Sequence, residues 1–390
     1  MTPRIVARVA AIACIAVATA VATSAPAHAS TAALAEKKYV ALGDSFASGY
    51  GLPPYSTTPA PGCGQSADNV PHRVARTYGL QLTDATCAGA TIGNVVGTAQ
   101  QVPGGTVPPQ LDALTADTSV VSVMIGGNDA GFVRLAGCVA ASPQGPLLQS
   151  PSVANCASQL GDLPRLIETS VAPLYDGMFA AIRQKAPNAE IIMLGYPSLA
   201  PTDATAPDAG CFSSALGNGA PPLPANSFPF TEVDRAFIAE VSAALDSAQK
   251  AAVERNGARF VSTLAASDAH TPCAGTTDPY LNGVSLISLS PPAVAEGAMH
   301  PNSAGQAFLE SQLAAALEAA FPASPPTAGG EDARQPETGA ATSTAATGAT
   351  TELAATGVDL AALSAPAALI VVLGLAMVIL VRKRTIRQVG

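Results

Sequence analysis

The sequence predicts an α/β protein built on a parallel sheet, and two kinds of segment carry this prediction. Two largely apolar runs, Ser119–Ile125 and Ala189–Leu194, each stop at a glycine. Such runs are typical of strands that are buried on both faces of a parallel sheet. Segments with an apolar spacing near 3.6 residues alternate with them, as in βαβ units. Ligands of such sheets bind beyond the carboxyl ends of the strands, so the residues that follow each strand are the first candidates for chemistry.

The predicted elements occupy the central part of the chain in alternating order. Strands are predicted at Lys38–Leu42, Ser119–Ile125, Ala189–Leu194 and Arg259–Val261. Helices are predicted at Val171–Lys185, Thr231–Asn256 and Ser303–Ala320. The second helix has a clear stop signal, because Gly257 follows Asn256 directly.

The N-terminal segment 1–29 has the pattern of a secretory signal peptide. Arg4 and Arg8 precede the apolar run Val9–Ala22, and Ala27-His28-Ala29 supplies a small-x-small cleavage site. The apolar run is shorter than the roughly 20 residues of a membrane span. We expect cleavage after Ala29 and export of the chain; an uncleaved anchor is the alternative.

The C-terminal segment 353–390 predicts anchoring at the cell surface. Residues 361–381 are apolar and uncharged, and a basic tail begins directly after them at Arg382. At about 1.5 Å per residue this stretch can cross the roughly 30 Å hydrocarbon core, with the basic tail on the cytoplasmic side. The preceding Leu353-Ala354-Ala355-Thr356-Gly357 resembles the cell-wall sorting signals that sortases process. The resemblance implies cleavage between Thr356 and Gly357 and attachment to peptidoglycan through Thr356; without sorting, the segment would leave a membrane-anchored surface protein.

Between these ends the composition predicts one folded domain and a stalk. Residues 30–321 have the length of a single domain with its own core. Residues 322–352 consist mainly of Ala, Thr, Gly and Pro and are typical of a flexible linker. The net charge of −9 argues against a nucleic-acid partner, because no basic stripe is available to meet phosphates.

Six cysteines remain after Cys14 is removed with the signal peptide, and their even number in an exported chain indicates disulfides. Their spacing contains no Cys-x-x-Cys pair, which argues against a zinc cluster. The spacing alone leaves every pairing open. The six are Cys63, Cys87, Cys138, Cys156, Cys211 and Cys273.

Polar residues follow two of the predicted strands and are candidates for the chemistry. Ser45 lies in Gly43-Asp44-Ser45 after the first strand, where a tight strand-to-helix turn would expose its hydroxyl near the positive end of a helix. Asn128 lies in Gly126-Gly127-Asn128-Asp129 after the strand at 119–125. Taken alone, the first motif is also compatible with an ordinary helix N-cap, and the second with a turn.

Four ordered blocks resemble those of the GDSL/SGNH hydrolases and run through nearly the whole predicted domain. They are GDSFASG at 43–49, Cys87-Ala88-Gly89-Ala90-Thr91, GGND at 126–129 and Met299-His300-Pro301-Asn302. The resemblance implies a three-layer α/β/α sandwich with a central parallel sheet, of the flavodoxin-like type. It also implies a serine ester hydrolase, with the secreted actinobacterial lipases and esterases as the most similar branch.

The resemblance assigns a role to each block. Ser45 would be the nucleophile and His300 the base that activates it, since a serine hydroxyl needs a base within hydrogen-bond reach. The backbone N–H groups of Ser45 and Gly89 and the side-chain amide of Asn128 would hold the oxyanion. No cofactor or metal is implied.

The group that orients His300 departs from the pattern of many family members. They place an Asp three residues before the histidine, where this chain has Gly297, and Glu296 lies one residue too early. A backbone carbonyl can also hold the imidazole in the Nδ1–H tautomer. We therefore expect a Ser45–His300 dyad supported by a main-chain oxygen at or near Gly297. His270 is the rival base and is interpreted as a structural or pocket-wall residue, whereas His72 is interpreted as a surface or packing residue.

The same branch has disulfides between neighbouring cysteines, which implies Cys63–Cys87, Cys138–Cys156 and Cys211–Cys273. The substrate stays open at this stage. A lipid ester or short-chain ester is the first hypothesis and an acetylated wall polysaccharide the second, because fold alone does not decide function. A third hypothesis is a wall-bound binding module on an inactive hydrolase scaffold.

Overall fold

The computed structural model describes residues 33–141, 155–273, 278–290 and 292–322 of the chain. No helix within these ranges is long and apolar enough to cross a bilayer. Several segments singled out in the sequence lie outside the described residues: the signal peptide 1–29, all but the first residue of the linker 322–352, the sorting residues Thr356 and Gly357, and the span 361–381.

A parallel sheet of five strands forms the centre of the fold, in the order β2-β1-β5-β6-β7. Its strands are β1 (Lys38–Gly43), β2 (Gln81–Asp84), β5 (Val120–Met124), β6 (Glu190–Leu194) and β7 (Arg259–Val261). Two antiparallel hairpins lie outside the sheet, β3 (Gln100–Val102) with β4 (Gly105–Val107), and β8 (Leu286–Leu289) with β9 (Pro292–Val294). The inner strands β1 and β5 are buried along almost their whole length, as their apolar sequences require.

Helices surround this sheet. They are α1 (Ser45–Ser48), α2 (Val70–Tyr78), α3 (Ile92–Val96), α4 (Phe132–Ala141), α5 (Cys156–Leu160), α6 (Leu163–Leu166), α7 (Ala172–Lys185), α8 (Glu232–Arg255), α9 (Leu264–Ser267) and α10 (Ser303–Ala320). A π-helical turn at Ile167–Val171 leads into α7, and short 3₁₀ turns occur at Pro61–Cys63, Gln110–Ala113 and Asp268–His270.

The strand order places helices on both faces of the sheet. The chain moves from β1 to β2 in one direction and from β5 through β6 to β7 in the other. Crossovers between parallel strands are right-handed, so α2 covers one face while α7 and α8 cover the opposite one. Helix α10 packs against α2, and α7 packs against α8. The direction reverses between β1 and β5, and the carboxyl ends of these two strands form the crevice where ligands of such sheets bind.

The predicted α/β class and three-layer architecture are confirmed, and the strands predicted at 38–42, 119–125, 189–194 and 259–261 correspond to β1, β5, β6 and β7. The helix predicted at Thr231–Asn256 is α8, whose N-cap is Thr231 and whose C-cap is Asn256. The sequence reading missed β2 and α2. Strand β2 alternates between exposed and half-buried residues at the edge of the sheet, so it lacks the continuous apolar run that marks an inner strand.

Buried glutamines connect the segments around the carboxyl ends of the strands. The Gln110 side chain accepts from the Gly43 N–H at 2.7 Å and donates to the Gly43 carbonyl at 2.8 Å, which fixes the end of β1. On α10, Gln306 donates to the Phe46 carbonyl at 3.2 Å and accepts from the Val70 N–H at 2.9 Å. These contacts fix the position of α1, the helix that carries Ser45, relative to β1, α2 and α10.

Candidate active site

Ser45 is the first residue of α1 and lies directly beyond the carboxyl end of β1. The Asp44 side chain caps this helix by accepting a hydrogen bond from the Phe46 N–H at 3.0 Å. A Cβ atom at Gly43 would lie 2.6 Å from the Met124 carbonyl oxygen, so the turn requires a glycine there. The turn leaves the Ser45 side chain partly accessible at the crevice.

The imidazole of His300 reaches Ser45 from the other end of the domain. Its Nε2 lies 2.8 Å from the Ser45 Oγ, although 255 positions separate the two residues in the chain. Its Nδ1 lies 2.9 Å from the carbonyl oxygen of Ala298. A carbonyl oxygen can only accept, so Nδ1 carries the proton and Nε2 presents a lone pair to the serine hydroxyl.

The main-chain oxygen that orients His300 belongs to Ala298, and the prediction of Gly297 was one residue too early. The Gly297 carbonyl accepts instead from the His300 backbone N–H at 3.0 Å and from Asn282 Nδ2 at 3.2 Å. This tight turn directs the next carbonyl toward the ring. Among the described residues His300 forms no ion pair with a carboxylate, and Glu296 accepts from the Tyr55 hydroxyl at 3.0 Å.

The segments that carry Ser45 and His300 meet at two glycines. Gly51 follows α1 with a φ of 89°, and Gly297 precedes the histidine with a φ of 74°. A Cβ atom at Gly51 would lie only 2.2 Å from the Gly297 Cα, so the two backbones are in direct contact. This contact sets how closely the histidine segment can approach the helix of Ser45.

Three N–H donors at this edge of the sheet are candidates to bind an oxyanion beside Ser45. The backbone N–H groups of Ser45 and Gly89 have no hydrogen-bond acceptor in the described part of the chain. Asn128 Nδ2 donates one hydrogen to the Ala90 carbonyl at 2.8 Å, and its second hydrogen has no acceptor among the described residues. Residues 87–90, which we call the oxyanion loop, contain Gly89 with a φ of 79°. A glycine suits this position because its backbone adopts positive φ without strain.

A buried carboxyl group, Asp44, and a partly buried one, Asp129, lie near the turn of Ser45. Burial raises the pKa of the Asp44 carboxyl to about 7, and hydrogen bonds from the Tyr196 hydroxyl and the Phe46 N–H act in the opposite direction. Tyr196 also accepts from the Gly127 N–H at 2.8 Å, so one hydroxyl connects the turn of Ser45 with that of Asn128. Burial likewise raises the pKa of Asp129, whose carboxylate accepts from the N–H of Ile92 at the start of α3.

Two aromatic rings lie beside the imidazole, and burial changes its pKa. The rings of Phe46 and Tyr50 lie 4.9 and 5.3 Å from that of His300, measured between centroids. Burial lowers the pKa of His300, which the hydrogen bond to the Ala298 carbonyl only partly opposes. The neutral imidazole, the form that can accept a proton, therefore predominates at neutral pH.

The other two histidines that the structure describes have different surroundings. His270 stacks on Tyr280 with ring centroids 4.0 Å apart, and its Nδ1 lies 3.1 Å from the Asp278 carbonyl oxygen. His72 Nδ1 lies 2.8 Å from the Asn69 Oδ1 on α2. Neither ring contacts Ser45, whereas the ring of His300 does.

The sulfur atoms of the six cysteines are bonded in the pairs that the family resemblance implied: Cys63–Cys87, Cys138–Cys156 and Cys211–Cys273. The first pair is fully buried and holds the oxyanion loop at Cys87, two residues before Gly89. No group of three or more His, Cys, Asp or Glu side chains arranged to bind a metal occurs within the described ranges.

The sequence reading missed Tyr196 and Ala298. Tyr196 comes second after β6, at the carboxyl edge of the sheet, so its position could have suggested a role at the site. The Ala298 carbonyl gives no sequence signal, because every residue has such a group.

The comparisons with known proteins agree with this geometry. The profile of the GDSL-like Lipase/Acylhydrolase family matches residues 41–308. This chain belongs to that family. It is 34% identical over 284 residues to Lipase 2 of Streptomyces coelicolor, covering 71% of this chain and 88% of that protein.

Two solved structures have a similar fold. One is phospholipase A1 from Streptomyces albidoflavus, with 27% identity and a TM-score of 0.52 over 71% of this chain and 100% of that chain. The other is an extracellular lipase from Streptomyces rimosus, with 24% identity and a TM-score of 0.52 over 71% and 99% of the two chains. This GDSL-family chain is thus a hydrolase of the lipase and esterase type.

Proposed function

We propose that this GDSL-family hydrolase cleaves carboxylic esters of lipids through an acyl-enzyme formed on Ser45. The observation that carries the proposal is the 2.8 Å contact between His300 Nε2 and Ser45 Oγ at the crevice between β1 and β5. A serine hydroxyl is a weak nucleophile unless a base takes its proton, and this contact supplies the base.

The reaction begins when Ser45 Oγ attacks the ester carbonyl carbon while His300 Nε2 removes the hydroxyl proton. The carbonyl π electrons move to the oxygen, which the Ser45 and Gly89 N–H groups and the Asn128 amide stabilise. Loss of one such donor typically costs about 10²–10³ in rate. The intermediate collapses as His300 returns the proton to the leaving alcohol, and water then repeats the sequence to release the acid.

The Ala298 carbonyl performs the work that an Asp does in a triad. It accepts from Nδ1 at 2.9 Å and thereby keeps the ring in the tautomer and orientation that the dyad needs. The imidazolium formed during attack is stabilised by this carbonyl dipole, so no carboxylate is needed in the proposed site.

A lipid ester is the proposed substrate class because the relatives of this chain include Lipase 2 of Streptomyces coelicolor and a phospholipase A1 from Streptomyces albidoflavus. The partly exposed ring of Tyr50 beside His300 supplies apolar surface for an acyl chain. An acetylated polysaccharide remains the second substrate hypothesis.

We further propose that the enzyme acts outside the cell and is held at its surface. The signal-peptide pattern of 1–29 and the three disulfides support export, because disulfides persist in oxidising compartments. Sortase would join Thr356 to peptidoglycan, or the segment 361–381 would keep the chain in the membrane. Replacing Thr356 by Ala distinguishes the two: release of the protein from the wall fraction, with retention in the membrane fraction, supports sorting, whereas an unchanged distribution contradicts it.

The proposed activity is tested with the secreted protein, Ser45→Ala and a chain-length series of p-nitrophenyl esters. Hydrolysis that disappears in Ser45→Ala supports the nucleophile, and a preference for long acyl chains supports a lipid substrate. A preference for acetate would favour the polysaccharide deacetylase. Absence of hydrolysis, together with no labelling of Ser45 by a serine-directed phosphonate, would favour the binding-module hypothesis.

A further inference from the structure

The oxyanion loop has almost all of its peptide groups engaged in hydrogen bonds. The Ala88 N–H donates to the Cys63 carbonyl at 2.9 Å, and the Ala90 N–H donates to the Cys87 carbonyl at 3.1 Å. The Ala90 carbonyl accepts from Asn128, as described above. The N–H of Gly89 is left without an acceptor within the described ranges, and it is the donor that the proposed reaction uses.

One side chain determines where this N–H points. Gln100 Nε2 donates to the Ala88 carbonyl oxygen at 2.7 Å. The Ala88 carbonyl and the Gly89 N–H belong to the same peptide unit, and in a planar trans peptide they point in opposite directions. Holding the carbonyl oxygen at Gln100 therefore directs the Gly89 hydrogen away from Gln100.

Gln100 is buried, and its amide nitrogen makes this contact while its amide oxygen loses its hydration. Its side-chain Oε1 is buried and has no hydrogen-bond partner in the described part of the chain. Burying an amide oxygen without a partner is unfavourable, and such groups call for a specific reason. Turning the amide over would place Oε1 against the Ala88 carbonyl oxygen, so Nε2 is the only atom that fits this contact.

A small hairpin fixes the position of Gln100. Strand β3 begins at Gln100, which pairs with Val107 of β4. Val107 is buried together with the Cys63–Cys87 disulfide in a small apolar cluster separate from the main core. The disulfide thus holds both the oxyanion loop and the hairpin that supports it.

We propose that Gln100 is a positioning residue that aims the Gly89 N–H at the oxyanion during ester hydrolysis. The inference rests on the proposed function of Ser45 and the oxyanion donors. Gln100 acts through the Ala88–Gly89 peptide. Without its donor, this peptide would be free to rotate, and the Gly89 hydrogen would be aimed less accurately at the developing charge.

The test uses the secreted protein with Gln100→Met, which keeps the size of the side chain and removes the donor. Gln100→Glu is a second variant of nearly the same shape, with a carboxylate that repels the Ala88 carbonyl. The matched control is Gln101→Met, at the next position of β3, where the side chain is exposed and accepts from the Thr106 hydroxyl. Measurements are kcat and KM for a p-nitrophenyl ester, Tm, and the inhibition constant of a trifluoromethyl ketone, which forms an oxyanion adduct with the nucleophilic serine.

We expect both Gln100 variants to lower kcat by about 10- to 100-fold with KM changed by no more than about threefold, because the lost contact acts in the transition state. The ketone should bind more weakly by the same factor as kcat/KM falls. Gln101→Met should retain the wild-type values. A structural role alone would lower Tm without this parallel change in ketone affinity.

Unchanged kcat in Gln100→Met, or a loss of kcat with unchanged ketone affinity in both variants, would overturn the inference while the proposed function stands. If Gln100→Met does not fold, Gln100→Glu decides by the same criteria. A wild-type protein without esterase activity that does not react with the ketone would overturn the proposed function and this inference together.

Discussion

Replacing Gly51 by Ala should move the histidine away from the serine without touching either residue. The new Cβ would lie 2.2 Å from the Gly297 Cα, whereas ordinary contacts begin at 3.4 Å, so the two segments must separate by about 1.2 Å. The added Cβ is fixed by the backbone of residue 51 and its neighbour is a backbone Cα, so no side-chain rotation relieves the overlap. If half of this displacement reaches His300, its 2.8 Å contact with Ser45 lengthens beyond a good hydrogen bond.

We expect kcat to fall by about 10- to 100-fold, since a displacement of about 1 Å at reacting groups typically costs about 100-fold and the shift at His300 is about half of that displacement. The positive φ of residue 51 adds a loss of folding free energy of about 1–2 kcal/mol for any residue with a Cβ. The control is Gly257→Ala, which also has a positive φ, 59°, but no heavy atom within 4 Å of the added Cβ. It should lose stability alone.

The assay combines kcat and KM for p-nitrophenyl esters with thermal unfolding of wild type, Gly51→Ala and Gly257→Ala. A Gly51→Ala enzyme with kcat within about twofold of wild type would refute the claim that this contact sets the serine–histidine distance. An equal loss of kcat in Gly257→Ala would show that backbone strain, and not the contact between segments, is responsible.

Three further outcomes follow from the charges of the site. Glu296→Gln should keep kcat within about threefold, because this carboxylate contacts Tyr55 and not the imidazole; a loss of several orders of magnitude would contradict the carbonyl-supported dyad. The kcat/KM profile should rise with pH to half its maximum below 6.5, since burial lowers the pKa of His300 and the neutral ring is the base; a midpoint above 6.5 would contradict this. The pKa of Asp44 is about 7 in the folded state, against an ordinary value of 3.8. Between these two pH values the folded state binds more protons than the unfolded state. The contribution of Asp44 to the free energy of unfolding therefore falls as pH rises from about 4 to 7. Asp44→Asn should flatten that slope in denaturant unfolding at a series of pH values, and an unchanged slope would count against a buried neutral Asp44.

Sequence patterns predicted the inner strands of the fold well because burial on both faces imposes a simple requirement. Every residue of β5 from Val120 to Met124 is buried, and a largely apolar run of this kind would be unfavourable in an exposed segment. Strand β2 has one neighbour and one open side, so its sequence Gln81–Asp84 mixes polar and apolar residues as a loop does. Its strand structure depends on pairing with β1, which lies far away in the chain.

In the site, side-chain chemistry could be predicted from the sequence, whereas the geometry of the backbone could not. Ser45, Asn128 and His300 have side chains with the required chemistry, and ordered blocks of sequence identified them. The carbonyl that holds His300 depends on a tight turn in which Met299 adopts a positive φ of 59° and the Gly297 carbonyl is already occupied. Sequence spacing pointed to the right turn but not to which of its carbonyls faces the ring.

If the Ala298 carbonyl is the third member of the catalytic group, as proposed, it changes how the enzyme tolerates mutation. A single base change can replace an Asp in that role, whereas every amino acid residue supplies a main-chain oxygen. Position 298 should therefore accept any residue that keeps the turn, whereas the shape of the loop depends on Gly51, Asn282 and Gly297. In a library of random variants, substitutions at those supporting positions should abolish activity, whereas most substitutions at Ala298 should retain it.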